Sequence, residues 1–179
     1  DGTQTVTVAV SASGYAGGSD TFDVTDDEAS LVTILDDGES GFTQSGFSEQ
    51  SDALVGAAYD GDNHSMWGGT GSASWTFTGL DDGEYQVAAT WAHKYNNKYN
   101  TLDAPFSIAN GGGTLLASTT VDQSNAPSEF AYGGYSWDTL GTVNVTGGSL
   151  VVTLGAGSGS NQYTVADAIR IEKTGDISP

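Results

Sequence analysis

Residues 73–92 read ASWTFTGLDDGEYQVAATWA. Trp75 and Phe77, then Tyr85, Val87 and Ala89, alternate with small or polar residues. A period of two sends successive side chains to opposite faces of an extended strand, so the large ones share a face. Between the runs, Gly79-Leu80-Asp81-Asp82-Gly83-Glu84 is a turn. Asp82-Gly83 is a strong short-range hairpin signal, because Gly83 takes positive φ without steric cost. The stretch predicts a β-hairpin with an aromatic inner face, covered by the other strands of the chain.

The rest of the composition agrees. The 179 residues include 26 glycines and 3 prolines, enough chain for one well-buried domain. Short alternating runs, split by Gly, Asn and Asp clusters and almost without helix-period stripes, predict an all-β sandwich or barrel. No apolar run approaches the roughly 20 residues that span a bilayer, so membrane insertion is not expected. A strand-like run begins almost at Asp1 with no visible leader, which reads as a mature product or an excised segment. Twenty-three acidic residues against four basic ones give a net charge of −19. That charge repels phosphate backbones and anionic membranes, making nucleic acid a poor partner. The acids read first as a solvating coat; the other readings are that they are incidental to a large parent protein, or that some are ligands for Ca²⁺. With no cysteine, disulfides, thiolate metal sites and a Cys nucleophile are excluded. Either redox compartment is allowed. The lysine-poor, Gly/Thr/Ser-rich composition points to an extracellular or cell-surface location.

Residues 1–28 read as an arm. Val6, Val8 and Val10 alternate with polar or small residues, a Gly-rich loop follows, and Phe22 and Val24 resume the alternation. This is a second β-hairpin, and a lone two-stranded ribbon is marginal in water. Three dispositions are open. It docks on its own chain, it closes a preceding domain (it resembles the closing strands of Ig-like or Calx-β-like repeats), or it is donated to a neighbouring copy in a head-to-tail polymer. Asp26-Asp27-Glu28 then reads as a solvated linker or as a calcium-stiffened joint.

The body begins with Leu31-Val32-Thr33-Ile34-Leu35 as a short buried strand. From there the order is ILDDGESGF, SWTFTGL-x-x-GEY-x-V-x-ATW, DAPFSI, VDQ, W-x-x-LGTV and finally YTVADAIR. This order resembles the golvesin C-terminal / xanthan lyase C-terminal-like domain over about residues 34–172. The resemblance implies a non-catalytic, carbohydrate-binding-like module of a large secreted bacterial protein. It also implies an antiparallel jelly-roll-like β-sandwich, here 31–173, preceded by the arm. Where the family has a tighter loop after Trp-Ala-His, this chain carries the longer Asn96-Asn97-Lys98-Tyr99-Asn100.

The candidate ligand residues are Trp67, His93, Tyr95, Asn96, Asn97, Tyr99 and Asn100. Sugars present C–H faces that stack on aromatic rings and hydroxyls that seek amide or imidazole partners. Trp91, at the end of an alternating strand, reads as core rather than as part of the ligand set; Trp67 fits a second stacking platform or the end of the core; Trp75 and Trp137 read as core. Candidate calcium ligands are Asp26, Asp27, Glu28, Asp36, Asp37, Asp60 and Asp62. The Asp60-Gly61-Asp62-Asn63 run lacks the glycine and distal Glu spacing of an EF-hand. Asp122 and Asp167 read as hydrogen-bonded structural acids, with Asp167 near enough in sequence to pair with Arg170. Catalysis has little support: two histidines, His64 and His93, lack zinc spacing, and no Gly-x-Ser-x-Gly elbow occurs. Two of the 23 acids converging as a glycosidase pair stays open from the residues alone; the family resemblance and the aromatic loop point instead to a non-catalytic module for adhesion or glycan binding. The alternative is a subunit of an extracellular fibre, assembled from neighbouring copies through Val6, Val8, Val10, Phe22 and Val24.

Overall fold

A computed structural model describes residues 4–24, 31–51, 58–92 and 99–177. The chain divides into two units, Asp1–Ser30 and Leu31–Pro179. The first is a two-stranded antiparallel hairpin, β1 (Gln4–Val10) paired with β2 (Gly18–Val24). Val6 lies opposite Phe22, and Val24 opposite Gln4, so alternation puts Val6, Val8, Val10, Phe22 and Val24 on one face. All five are exposed.

The second unit is an antiparallel jelly-roll-like β-sandwich. Its strands begin with β3 (Val32–Leu35), β4 (Phe42–Ser45), β5 (Ser48–Ser51), β6 (Asp62–Trp67), β7 (Ser72–Thr78) and β8 (Gly83–Ala89). There follow β9 (Ala104–Asn110), β10 (Leu115–Val121), β11 (Phe130–Tyr132) and β12 (Tyr135–Val145). The last are β13 (Ser149–Gly155), β14 (Tyr163–Ala166) and β15 (Ile169–Gly175). One sheet runs β10-β9-β13-β7-β4, the facing sheet β11-β12-β8-β15-β3, and a small third sheet β14-β6-β5. Trp75, Phe77, Phe106, Ile108, Leu150 and Val152 meet Tyr85, Val87, Val143, Val145, Ile169 and Ile171 in one continuous core. Burial of each large side chain is worth roughly 1.5–3 kcal/mol. Trp137 is fully buried in a separate small cluster with Ala88 and Ala168, against which Tyr59, Phe130 and Tyr135 pack.

The alternation over 73–92 places the aromatic face correctly, but the hairpin expected there does not form. β7 pairs with β13 and β4, whereas β8 pairs with β12 and β15. The chain turns a corner from one sheet to the other at residues 79–82. Gly79, not Gly83, has the positive φ, at 73°. Gly83 is required for a different reason: a Cβ there would sit 2.8 Å from the Gly175 carbonyl oxygen and closer still to the Lys173 side chain. A second corner, 146–148, carries β12 to β13, and the two corners are tied by Leu80 N–H to Gly148 O (3.1 Å) and Gly147 N–H to Asp82 Oδ1 (3.1 Å). β3, expected as a buried strand, is a half-buried edge strand.

Candidate functional site

Two groups of residues stand out from the scaffold: a buried acidic cluster and an exposed aromatic one. β3 and β15 are antiparallel with Leu35 opposite Ile169. The residues just after β3 and just before β15 therefore meet at the same sheet end. Those residues are Asp36, Asp37 and Asp167, all buried, with one carboxylate oxygen from each within 4.8 Å of the others. Asp167 Oδ1 accepts a hydrogen bond from the Tyr59 backbone N–H (3.0 Å), and the Asp167 carbonyl accepts one from the Trp75 indole (3.1 Å). Asp36 Oδ1 accepts from the Asp37 N–H (2.9 Å), and Glu39 closes the turn by accepting from the Asp36 N–H (3.2 Å). Asp37 Oδ2 meets His64 Nδ1, and the His64 ring packs on Phe42.

Burial dominates the electrostatics. It pushes the Asp36 carboxyl up to about 8, with the Asp37 charge adding to the effect. Asp37 is likewise pushed up to about 8, by burial and then by Asp62. Asp167 is raised well above the usual carboxylate range by burial, then by Asp37 and Asp36. Burial lowers His64 although the neighbouring acids pull the other way. Asp37 Oδ1 and Asp167 Oδ2 are buried without any hydrogen-bond partner. Three buried carboxylates approaching one another this closely, two of them with an unmet oxygen, make a donor set that a hard divalent cation takes.

Of the acids expected to hold calcium, Asp36 and Asp37 are in this cluster. Asp62 lies close enough to raise both of them but is not one of the three. Asp60 sits apart in a short 3-10 turn at φ 49°, its N–H donating to the Tyr135 hydroxyl (3.3 Å). Asp26, Asp27 and Glu28 lie outside the described residues. Asp167, read in the sequence as a purely structural acid, is the third member. It does not pair with Arg170, whose partner is Glu172 and whose guanidinium lies over the Phe130 and Tyr132 rings. The signal that marks Asp167 is a charge inside the apolar run Val165-Ala166-Asp167-Ala168-Ile169, since a buried polar group is the informative exception. Asp122 is structural as expected, accepting from Ser124 N–H and Oγ and from the Asn125 amide.

The aromatic group forms where β6 ends and β14 begins. Trp67 is 49 % exposed and Tyr99 41 %. Tyr163 pairs in register with Trp67, with ring centroids 4.5 Å apart at 61°. Tyr99 also meets Trp67, at 6.3 Å and 61°, and is held by the Tyr163 N–H bonding to its carbonyl (2.6 Å). Rings meeting at this angle make a notch rather than a flat shelf. The Gly-rich loop 156–162 rims it: Gly68, at φ 57°, donates to the Gln162 carbonyl (2.9 Å), and its missing Cβ would sit 2.5 Å from the Ser160 oxygen. The structure thus joins Trp67 and Tyr99, read separately in the sequence, and adds Tyr163. Asn100, expected to face a ligand, is instead fully buried, its amide donating to the Ala92 and Gln123 carbonyls (3.3 and 3.2 Å). Trp91 is core, 2 % exposed. His93, Tyr95, Asn96 and Asn97 lie outside the described residues.

The body's extent and the sequence tokens agree with one family. Residues 32–173 match the golvesin C-terminal domain. The chain belongs to that family. The golvesin C-terminal domain seen here is similar to part of a Paenibacillus xanthan lyase, at 26 % identity and a TM-score of 0.64, over 94 % of this chain and 15 % of that one. The chain thus spans a small fraction of that enzyme's length. It also shares its fold with a family 35 carbohydrate-binding module from Clostridium thermocellum (12 % identity, TM-score 0.56, 79 % of this chain and 97 % of that one). The Xyl-CBM35 module, solved with a glucuronic acid-containing disaccharide, is similar at 16 % identity and a TM-score of 0.51, over 81 % and 99 %. Comparison with curated proteins returned no match. Among the described residues, no helix is long and apolar enough to cross a membrane.

Proposed function

We propose that this golvesin C-terminal domain is a non-catalytic, extracellular glycan-binding module, with its ligand resting in the notch of Trp67, Tyr99 and Tyr163. The observation that carries the reading is the meeting of two exposed rings, Trp67 and Tyr99, with Tyr163 in one cluster. Singly exposed aromatic residues are ordinary, but a cluster drawn from three separate segments has a geometry sugars can use. Asp36, Asp37 and Asp167 would hold a hard divalent cation such as Ca²⁺ at the opposite role, fixing the scaffold rather than touching the ligand. The likeness to carbohydrate-binding modules supports the fold side of this reading.

The test is calorimetric or gel-shift binding to a panel of soluble polysaccharides with the Trp67→Ala/Tyr99→Ala double variant. Losing both rings is expected to weaken binding about 10- to 100-fold, roughly 1.4–2.8 kcal/mol. Undiminished binding by the double variant would sink the notch as the site.

A second reading is favoured by the apolar face of β1–β2: a structural subunit of an extracellular fibre, assembled by strand donation to the next copy. An exposed apolar ribbon with open edges is a template for another chain. If so, sedimentation of the full chain shows large assemblies, and deletion of residues 1–28 leaves monomers. Polymers that persist after the deletion would end this reading.

A further inference from the structure

β10 ends one side of its five-stranded sheet, paired to β9 alone. It is seven residues long. The other strands that end the body's large sheets, β3, β4 and β11, have four, four and three residues. In the small sheet, β5 has four residues and carries Glu49, and the outer side of β14 is taken by the Gln123 carboxamide. Natural edges are blunted by short length, charge, proline or a bulge. β10, Leu-Leu-Ala-Ser-Thr-Thr-Val, has only the last of these. The bulge lies between Leu115 and Ala117, and from Ala117 to Val121 the ladder with β9 is regular.

Alternation along β10 shows what a further strand would have to supply. Ala117, Thr119 and Val121 lie opposite the core residues Ile108, Phe106 and Ala104, so they face inward. All three are only half-buried, and Leu116, Ala117 and Val121 form a partly exposed margin of the core. Ser118 and Thr120 face outward and are exposed. A matching neighbour has apolar side chains on its inward face, small or hydroxylated ones on its outward face, and an unused row of backbone groups.

β1 has this pattern. It is seven residues long and uncharged. Val6, Val8 and Val10 share one face, and Thr5, Thr7 and Ala9 the other. One of its sides is paired with β2 and the other is open. β2 carries Asp20 and Asp23, so β1 is the side of the ribbon that approaches a strand without bringing a charge. Laid beside β10, its valines would cover the half-buried margin, and its threonines would continue the outward row of Ser118 and Thr120. Phe22 and Val24 would extend the apolar face by one more strand. In such strand addition the main chain supplies affinity and the alternate side chains supply specificity. All five apolar residues of the arm are exposed in their own chain.

We propose that β10 is the acceptor edge for β1 of a second copy of this chain. The proposal rests on the fibre reading and names the surface that reading leaves open. Donor and acceptor are different surfaces of one chain, so the contact is heterologous and propagates head to tail.

The chain has no cysteine, so introduced thiols report contacts without background. A full chain carrying Thr7→Cys is mixed under mild oxidation with one carrying Ser118→Cys or Thr120→Cys. The control partner carries Thr43→Cys on β4, at the opposite edge of the same sheet. All four positions are exposed. The mixture is held in about 0.15 M salt, where repulsion between two −19 chains is screened beyond roughly 8 Å. Facing Cα atoms on adjacent strands, about 4.5–5.5 Å apart, are within disulfide reach. The mixed disulfide, identified by mass spectrometry, is expected to form about tenfold faster at β10 than at Thr43→Cys, because assembly holds the two thiols together. The unmodified chain is expected to sediment as assemblies in the same buffer. Assemblies in which β10 is crosslinked no faster than Thr43→Cys would overturn β10 as the acceptor and leave the fibre reading standing. A chain that sediments as a monomer throughout would overturn both. With Thr7→Cys and Ser118→Cys on one chain, a ladder of crosslinked oligomers supports the proposal, whereas a crosslinked monomer means the arm folds onto its own body and overturns it.

Discussion

Calcium added to the metal-free protein near neutral pH is expected to raise its melting temperature by about 5–10 °C, and Asp167→Asn is expected to abolish the rise. A ligand present at about 100 times its dissociation constant stabilises the folded state by about 2.7 kcal/mol. In a domain of this size each kcal/mol moves the midpoint by roughly 2–4 °C. The cation would meet Asp37 Oδ1 and Asp167 Oδ2, both buried and without hydrogen-bond partners. The pH dependence provides an independent check. With a chelator present, Asp36 and Asp37 hold their protons up to about 8 in the folded chain, against 3.8 as the ordinary value. Groups whose folded pKa is raised favour the folded state at low pH, and that advantage is lost as pH climbs through the folded pKa. His64 has the opposite sense: its folded pKa is lowered, so it costs stability as pH falls below 6.5. The carboxyl effect is therefore read between 6.5 and 8, where the metal-free midpoint falls as pH rises. Saturating calcium needs the deprotonated carboxylates and should flatten or reverse that slope. Thermal melts across this window, with chelator and with calcium, decide the matter. A calcium-independent midpoint, or a metal-free midpoint that climbs with pH there, would refute the cluster as a cation site.

Gln123→Ala is expected to cost about 2–5 kcal/mol, a drop in midpoint of some 5–15 °C. Gln123 is fully buried in the loop after β10. Its carboxamide donates to the Val165 carbonyl (2.7 Å) and accepts from the Val165 N–H (2.9 Å), doing for the open edge of β14 what a neighbouring strand would do. Its own backbone is fixed by its N–H to the Thr101 carbonyl (2.9 Å) and by the Asn100 amide on its carbonyl. Alanine leaves two buried backbone groups of β14 unsatisfied, each worth about 1–3 kcal/mol. It also loosens the strand that begins with Tyr163, so the aromatic notch would loosen with it. Gln123→Glu can accept from the Val165 N–H but turns a carboxylate toward the carbonyl, so it should be nearly as harmful. Denaturant unfolding measures both, and a loss under about 0.5 kcal/mol, the ordinary scale of a surface substitution, would show that this bridge is dispensable.

The faces of the strands were legible because alternation reports burial directly. Trp75, Phe77, Tyr85 and Val87 all point inward, as their spacing requires. Partners were not legible in the same way. A period of two says which side a residue faces and nothing about which strand lies beside it, so β7 and β8 read as a hairpin although they belong to facing layers. The same limit governs the sites. Asp36 and Asp37 carry a recognisable pattern, two adjacent acids closing a strand. Asp167 becomes their neighbour only through the pairing of β3 with β15. Trp67 and Tyr99 are visible as uncommonly placed rings, but nothing local ties them to Tyr163. Gln123 is an ordinary polar residue until β14 is seen to lack a strand at its side. Asn100 shows the reverse error: an amide in a polar, aromatic loop looks available, yet folding encloses it.

The corners at 79–82 and 146–148 hold each other, and each sends successive strands to opposite layers. Neither layer can therefore be completed from a contiguous half of the chain. Most of the ordering must come from partners far apart along the polypeptide, which places folding in the slow, milliseconds-to-seconds regime of high contact order. Truncating the body between β8 and β9 should yield two fragments without native structure, because each would carry half-layers lacking their mates.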